Sequence, residues 1–394
     1  MLRRICLLVN YNLYESKRYF TEQLHGALLR YGLQSRIFDV QEEELNPSIA
    51  QEIHNFRPDL TCSFNSFSPT RDQKFLWDIL KIPHWSILVD PLFYSLNLMT
   101  SPLSIISSVD RTDCRILYQS QFPRSFFWPH AIESNLPESR EERTYDVVFI
   151  GSCYDYQSMR NFFRAHYSDE VNAAFDVAVD LVLSDQNISI PQALVTAWNQ
   201  AHISLEKDVD YHNVLYFLDI FTRGLDRIEL IRNIKDTTVH IFGDLLQDQI
   251  YCKMGWRDYL LSQPNVIIHP PVSYGESLAI LQKSKICLNS TPFFKDGSHE
   301  RVFAGFATGA LPLTSENVYW KERFQEGEEI LFYRHGAWEE ANEMVQHILQ
   351  NEKKRQSMVE RGRQKVMTND TWDQRVQQLV TTLPPLLSQI RIPD

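Results

Sequence analysis

NSTPFFKDGSHERVFAGFATGALP, Asn289 to Pro312, reads as the end of a strand, a loop and a helix in that order. The apolar run Ile286-Cys287-Leu288 before it predicts a short buried strand. Pro292 to Gly297 has turn chemistry. Ser298 is placed to cap a helix over His299 to Thr308, and Gly309 to stop it. Leu311 to Thr314 begins the next strand. A loop that feeds a helix N-terminus at the carboxyl end of a strand favours anions, because free N–H groups and the positive dipole end meet there.

The helix face sharpens this expectation. Glu300 and Ala304 are one turn apart on one face, with Ala307 and Thr308 close to it, while Phe303 and Phe306 point into core. An acid above a patch of small side chains leaves room for a ligand. The alternative is structural: Glu300 complements the helix dipole, Arg301 is solvated, and the alanines allow close packing on the sheet.

The run DGSHERVFAGFATGALPLTSEN resembles the nucleotide-sugar-binding segment of GT-B glycosyltransferases, and among them the spore-maturation CgeB-like proteins. The resemblance is close in the C-terminal part of the chain and architectural before it. It implies two Rossmann-like α/β domains facing an inter-domain cleft. In such relatives the acid and arginine matching Glu300 and Arg301 lie at the donor site. The broader retaining enzymes carry two glutamates around this helix, where this chain has Asp296 and Ala304. Glu300 stands one turn before Ala304.

Length and composition agree with a two-domain chain: 394 residues, 43% hydrophobic and 23% charged. A net charge of −11 argues against general nucleic-acid binding. The apolar run Ile5 to Val9 is too short for a signal-peptide core and reads as a first strand. No stretch has the length of a membrane-spanning helix, although peripheral membrane contact stays open. Six scattered cysteines without a C-x-x-C pair point to a reducing, cytoplasmic setting, and no His/Cys cluster suggests a metal. Of 13 glycines, only Gly26 and Gly32 precede residue 150, and no G-x-G-x-x-G follows the first strand. A nucleotide therefore belongs in the C-terminal half.

In chain order, strands and helices alternate from Arg4 to Trp128, which predicts a parallel sheet with helices on both faces. Ser16 to Tyr31 is amphipathic, with Phe20, Leu24, Leu28 and Leu29 inward. Arg71 to Leu80 reads as a helix. Ile105 to Val109 and Arg115 to Tyr118 read as short strands. Pro137 to Arg143, PESREER, reads as a linker. Asp146 to Ile150 opens a second sheet, and Ser158 to about Asn233 is mostly helical. Thr371 to Ile390 reads as a helix interrupted at Pro384-Pro385. The expected domains are 1–140 for the acceptor, 141–370 for the donor, and 371–394 as a helix returning to the first.

Ligands in open parallel sheets bind outside the carboxyl ends of strands. On the donor side this selects Gly151 and Ser152, Gly243-Asp244, Ser273 and Tyr274, then Asn289, Lys295, Gly297, Ser298, His299, Glu300 and Arg301. Tyr274 offers a ring to a base, or is an ordinary exposed loop tyrosine. Lys295 and Arg301 are the cations for a diphosphate, or lie on a solvated face. On the acceptor side Asp90 and His130 end strands beside prolines. Either is a candidate general base, and either equally fits turn chemistry.

The expected activity is glycosyl transfer from a nucleotide sugar, of the uridine-diphosphate type, to an acceptor hydroxyl, with no cofactor and no metal. A sugar phosphorylase, an epimerase or a catalytically silent binding module are the other classes.

Overall fold

The run Ile5-Cys6-Leu7-Leu8-Val9 is buried throughout, as befits a strand covered on both faces. It forms β1 (Arg4–Val9). The computed structural model describes residues 2–12, 14–40, 47–69, 74–136, 142–203, 209–243 and 252–392. The chain divides into two compact units. The first comprises Met1–Leu136, Ser273–Gly275 and Val366–Asp394; the second comprises Pro137–Val272 and Glu276–Lys365. Most of the PESREER linker and Asp244 lie outside the described residues.

After β1 the first unit runs α1 (Ser16–Arg30), β2 (Gln34–Asp39), α2 (Pro47–Phe56), β3 (Leu60–Phe64), α3 (Leu76–Leu80), β4 (His84–Leu88), β5 (Ser104–Ser108), α4 (Arg111–Gln119) and β6 (Ser125–Phe127). Its six strands pair in the order β2-β1-β3-β4-β5-β6, every pair parallel. α1 buries Phe20, Leu24, Ala27 and Leu28. Leu29, expected inward, is 49% exposed, one position past the buried stripe.

The expected strand at Arg115 to Tyr118 is helix. The Asp110 carboxylate accepts from the Thr112 amide at 2.6 Å and caps α4, which then buries Leu117. A short apolar run alone does not separate the two states. Of the helix expected from Arg71, 70–73 lie outside the described residues, Lys74 and Phe75 are not helical, and α3 begins at Leu76, with Phe75 extended before it.

The second unit runs β7 (Tyr145–Ile150), α5 (Tyr156–His166), α6 (Asp169–Ser184), α7 (Ile190–Gln200), α8 (Tyr211–Asn233), β8 (Val239–Phe242), α9 (Trp256–Tyr259) and β9 (Val266–His269). There follow α10 (Tyr274–Gln282), whose first two residues count with the first unit, β10 (Ser284–Asn289), α11 (Glu300–Thr308), β11 (Leu311–Ser315), α12 (Val318–Arg323), β12 (Leu331–Tyr333), α13 (Glu339–Leu349) and α14 (Glu352–Asn369), which counts with the first unit from Val366. Its six strands, also all parallel, pair as β12-β11-β10-β7-β8-β9.

The last helix, α15 (Trp372–Leu387), packs in the first unit beside α1. Trp372 lies 5.9 Å from Phe64 and 6.0 Å from Trp128, and Ile132 bridges Thr371. The expected interruption at Pro384-Pro385 does not occur. Both prolines fall in the final turns, where few amide bonds remain to be lost, and buried Leu383 holds that end on the core. Among the described residues no helix is long and apolar enough to cross a membrane.

Candidate functional site

β10 ends in Asn289, and every residue from Ser290 to His299 is buried before α11 begins. The cap of α11 is His299 rather than Ser298. Its Nδ1 accepts from the Arg301 amide at 3.3 Å and lies 3.1 Å from Glu300 Oε2. A proton on Nδ1 would exchange the first contact for the second. Ser298 is fully buried one residue too early to cap. Gly309 closes the helix in the left-handed region at φ 87°, as the sequence predicts.

Asn289 aims Arg301. Its Oδ1 accepts from Arg301 Nη1 at 2.9 Å, and its own Nδ2 is held by Thr314 Oγ1 at 2.9 Å. The guanidinium stands 5.5 Å from the centre of the Phe149 ring, on β7. Gly151, at the end of β7, keeps space open there: a Cβ on it would lie 3.5 Å from Arg301 Nη2. Gly243, at the end of β8, has no such latitude, since a Cβ would meet the Gly151 carbonyl oxygen at 1.9 Å. The two strand ends close on each other only because Gly243 lacks a side chain.

Two further arginines arrive from α8. Arg227 donates to the Ser152 carbonyl at 2.9 Å and lies over Tyr154 at 4.6 Å and Phe149 at 5.7 Å. Arg223 pairs with Asp219 at 2.8 Å and sits 3.5 Å from the centre of the Phe293 ring. Burial lowers the Arg227 guanidinium; Tyr154 and Asp219 oppose this, Arg301 and Arg223 add to it, and the result is about 10. Arg227 is thus within the field of both other arginines, and Phe149 is shared by two of them. Asp219 offsets Arg223, so the positive charge at the carboxyl ends of β7 and β10 is that of Arg227 and Arg301.

The residue before Arg227 on α8 is the centre of a second cluster. Fully buried Asp226 accepts from Ser290 Oγ at 2.6 Å, Tyr333 Oη at 2.6 Å, Trp338 Nε1 at 2.7 Å and His335 Nδ1 at 2.8 Å. Burial pushes its carboxyl up, but the His335 charge and the hydrogen bonds outweigh this and bring it down to about 2. This carboxylate ties the exits of β10 and β12 to α8.

The other expected residues separate. Lys295 is 2% exposed, neither solvated nor free for a diphosphate: its Nζ donates to the Val182 carbonyl at 2.5 Å and the Asp185 carbonyl at 3.2 Å, at the C-terminus of α6. Gly297 is fixed through its carbonyl, which accepts from Asn317 Nδ2 at 2.9 Å. Ser273 and Tyr274 belong to the first unit, and the Tyr274 ring packs on Tyr19 at 4.9 Å and Phe20 at 4.8 Å. Apolar burial takes the ring expected for a base. Asp90, just past β4, accepts from Asn65 Nδ2 at 2.8 Å. The buried His130 ring lies 6.4 Å from Phe20, and its carbonyl accepts from Arg375 at 3.0 Å. Among the described residues no three His, Cys, Asp or Glu side chains converge as a metal site.

Residues 226–381 match the family described as glycosyl transferase-like. Among solved structures, the glycosyltransferase of Rickettsia africae ESF-5 superposes with a TM-score of 0.57 at 11% identity, over 98% of this chain and 99% of its own. Anabaena HepE in complex with UDP-glucose gives 0.57 at 11% identity, over 97% and 99%. Sucrose-phosphate synthase of Thermosynechococcus elongatus gives 0.59 at 9% identity, over 98% and 99%.

The fold is GT-B. Its two parallel six-stranded sheets are those described above. An uncharacterised protein of Aquifex aeolicus (strain VF5) is 22% identical over 378 residues, covering 85% of this chain and 90% of its own. The family match begins at Asp226, so it takes in Arg227, the Ser290–His299 loop, α11 and the partners of Asp226 on β12 and beyond. Arg223, Asp226, Arg227, Ser290, Tyr333, His335 and Trp338 are not singled out by the sequence. The available signal was polar residues among the apolar ones of α8, in the run that reads as mostly helical.

Proposed function

We propose that this GT-B chain is a glycosyltransferase that moves a sugar from a nucleoside diphosphate to an acceptor hydroxyl. The second unit holds the donor and the first unit the acceptor. The observation that carries this is the convergence of Arg223, Arg227 and Arg301 at the carboxyl ends of β7 and β10, beside two glycines. Arg223 has its counter-charge in Asp219; a diphosphate supplies one for Arg227 and Arg301, and guanidinium forks suit its oxygens. Arg301, presented by Asn289, and Arg227 take the leaving diphosphate, so its charge needs no metal to be neutralised. Glu300, at the first residue of α11, receives a sugar or ribose hydroxyl. HepE, a structural neighbour, is solved with UDP-glucose, which makes a uridine-diphosphate donor the first to test. Asp90 and His130 are acceptor-side groups of the first unit.

A thermal-shift series with UDP, ADP, GDP and UDP-glucose tests the reading. A bound nucleotide at a hundredfold its dissociation constant adds roughly 2.7 kcal/mol of stability. No shift with any of them would refute it. A second reading, a binding module without turnover, is favoured by Ala304, a buried small residue where the broader retaining enzymes place an acid. Nucleotide binding with no release of UDP from UDP-glucose would support that reading instead.

A further inference from the structure

Phe149, near the end of β7, stands in register between Leu288 on β10 and Ile241 on β8 and is fully buried. An aliphatic side chain would fill that place in the core as well, since a central parallel strand asks only for apolar residues. The ring adds a π-face. Arg301 lies over it at 5.5 Å and Arg227 at 5.7 Å, so two guanidiniums share the quadrupole of one ring. The ring is itself held in place: Trp256 meets it edge-on at 5.5 Å, and a Cβ on Gly151 would lie 3.2 Å from its Cε1.

Two like charges on one ring oppose each other. Burial is the first cause that holds the Arg227 guanidinium down, and the charge of Arg301 adds to it. Arg227 is anchored, buried at 4% exposure on the Ser152 carbonyl and the Tyr154 ring. Arg301 is half-buried, and among the described residues its guanidinium makes one hydrogen bond, from Nη1 to Asn289. Repulsion therefore acts on Arg301 as the group with room to move, and attraction to the Phe149 ring acts against it. With Asn289 on Nη1 and the ring beneath, Nη2 is left on the side of Gly151, 3.5 Å from where a Cβ would stand.

We infer that Phe149 is a positioning residue for nucleotide binding: its ring holds Arg301 against the repulsion of Arg227 and keeps that guanidinium turned to the diphosphate. The inference rests on the diphosphate reading above. Phe149, Gly151, Arg227, Asn289 and Arg301 all belong to the second unit. Phe149 touches no phosphate in this scheme and acts through Arg301.

The test measures UDP affinity of the full chain in a double-mutant cycle of Phe149→Leu and Arg301→Ala. Leucine keeps the position apolar and removes the π-face. Phe149→Leu alone is expected to weaken UDP binding about tenfold. In the Arg301→Ala background the same change is expected to cost less than about twofold, because the group it positions is gone. A phenylalanine that serves only the core would weaken binding by the same factor in both backgrounds. Equal factors, or wild-type affinity in Phe149→Leu, would overturn the inference. Should Phe149→Leu not fold, the cycle is run with Phe149→Met, whose unbranched chain fills irregular gaps in a core, and the same two outcomes decide. A wild-type chain that binds no UDP refutes the diphosphate reading and the role of Phe149 with it. A loss confined to the variants, with wild-type binding intact, speaks to Phe149 alone.

Discussion

Asp226 Oδ1 and His335 Nδ1 lie 2.8 Å apart, although 109 positions separate the two residues in the chain. The pair is out of water on both sides, with side-chain exposures of 0% and 6%. Its consequences are both mechanical and electrostatic, because the same carboxylate also holds Ser290 and Tyr333.

Asp226→Asn is expected to cost about 3–5 kcal/mol at pH 7, the range for breaking a buried charge pair. The folded carboxyl sits below its unfolded value, at about 2 against 3.8. Its contribution is therefore complete above about pH 4 and lost as pH falls through about 2, a change on the order of 2–3 kcal/mol. Urea unfolding at neutral and acid pH reads both quantities. Equal midpoints for variant and wild type at pH 7 would remove the hub from the account.

Arg301→Ala should weaken UDP binding by about 1.5–3 kcal/mol, the range for hydrogen bonds to charged groups, with little change in melting temperature. Glu300→Gln should lower turnover while the fold stays intact. If both residues only decorate the helix end, the variants lose about 0.3–1 kcal/mol of stability or less and no affinity. Calorimetric titration alongside thermal melts separates the outcomes.

Lys295→Met takes a charged donor from the last carbonyls of α6. The expected result is a loss of about 1.5–3 kcal/mol in stability with UDP affinity unchanged. A tenfold loss of affinity without loss of stability would return Lys295 to the donor set.

His84 is wholly buried between Thr61 Oγ1 at 2.8 Å and Ser63 Oγ at 3.1 Å. Burial lowers its imidazole from 6.5 to about 3. The unfolded chain takes up the proton first, so stability is full above pH 6.5 and falls toward pH 3 by about 1.4 kcal/mol per pH unit. His84→Gln should flatten that slope between pH 6 and 4 in denaturant titrations. An unchanged slope would show that other groups carry the acid sensitivity.

The local signals were faithful where one element carries them. The apolar strand before Asn289, the glycine stop at Gly309 and the strand-helix alternation all describe what forms. They failed where a distant partner decides. Ser298 has good capping chemistry, but the loop buries it and hands the cap to His299. Lys295 reads as a surface cation until α6 arrives with its unpaired carbonyls. The arginines and aspartates of α8 are not singled out within the mostly helical run from Ser158 to about Asn233. They are buried because Phe149, Tyr154, Ser290 and the exit of β12 close over them, none of them a neighbour in sequence.

Consecutive helical residues point about 100° apart. On α8 that angle sends Asp226 to Ser290 and Tyr333, and Arg227 to Ser152. A substitution at either position removes one set of contacts. A single residue inserted between Arg223 and Asp226 would turn everything after it by a further 100° and misdirect both sets at once. This helix can vary in spelling, but its length is fixed.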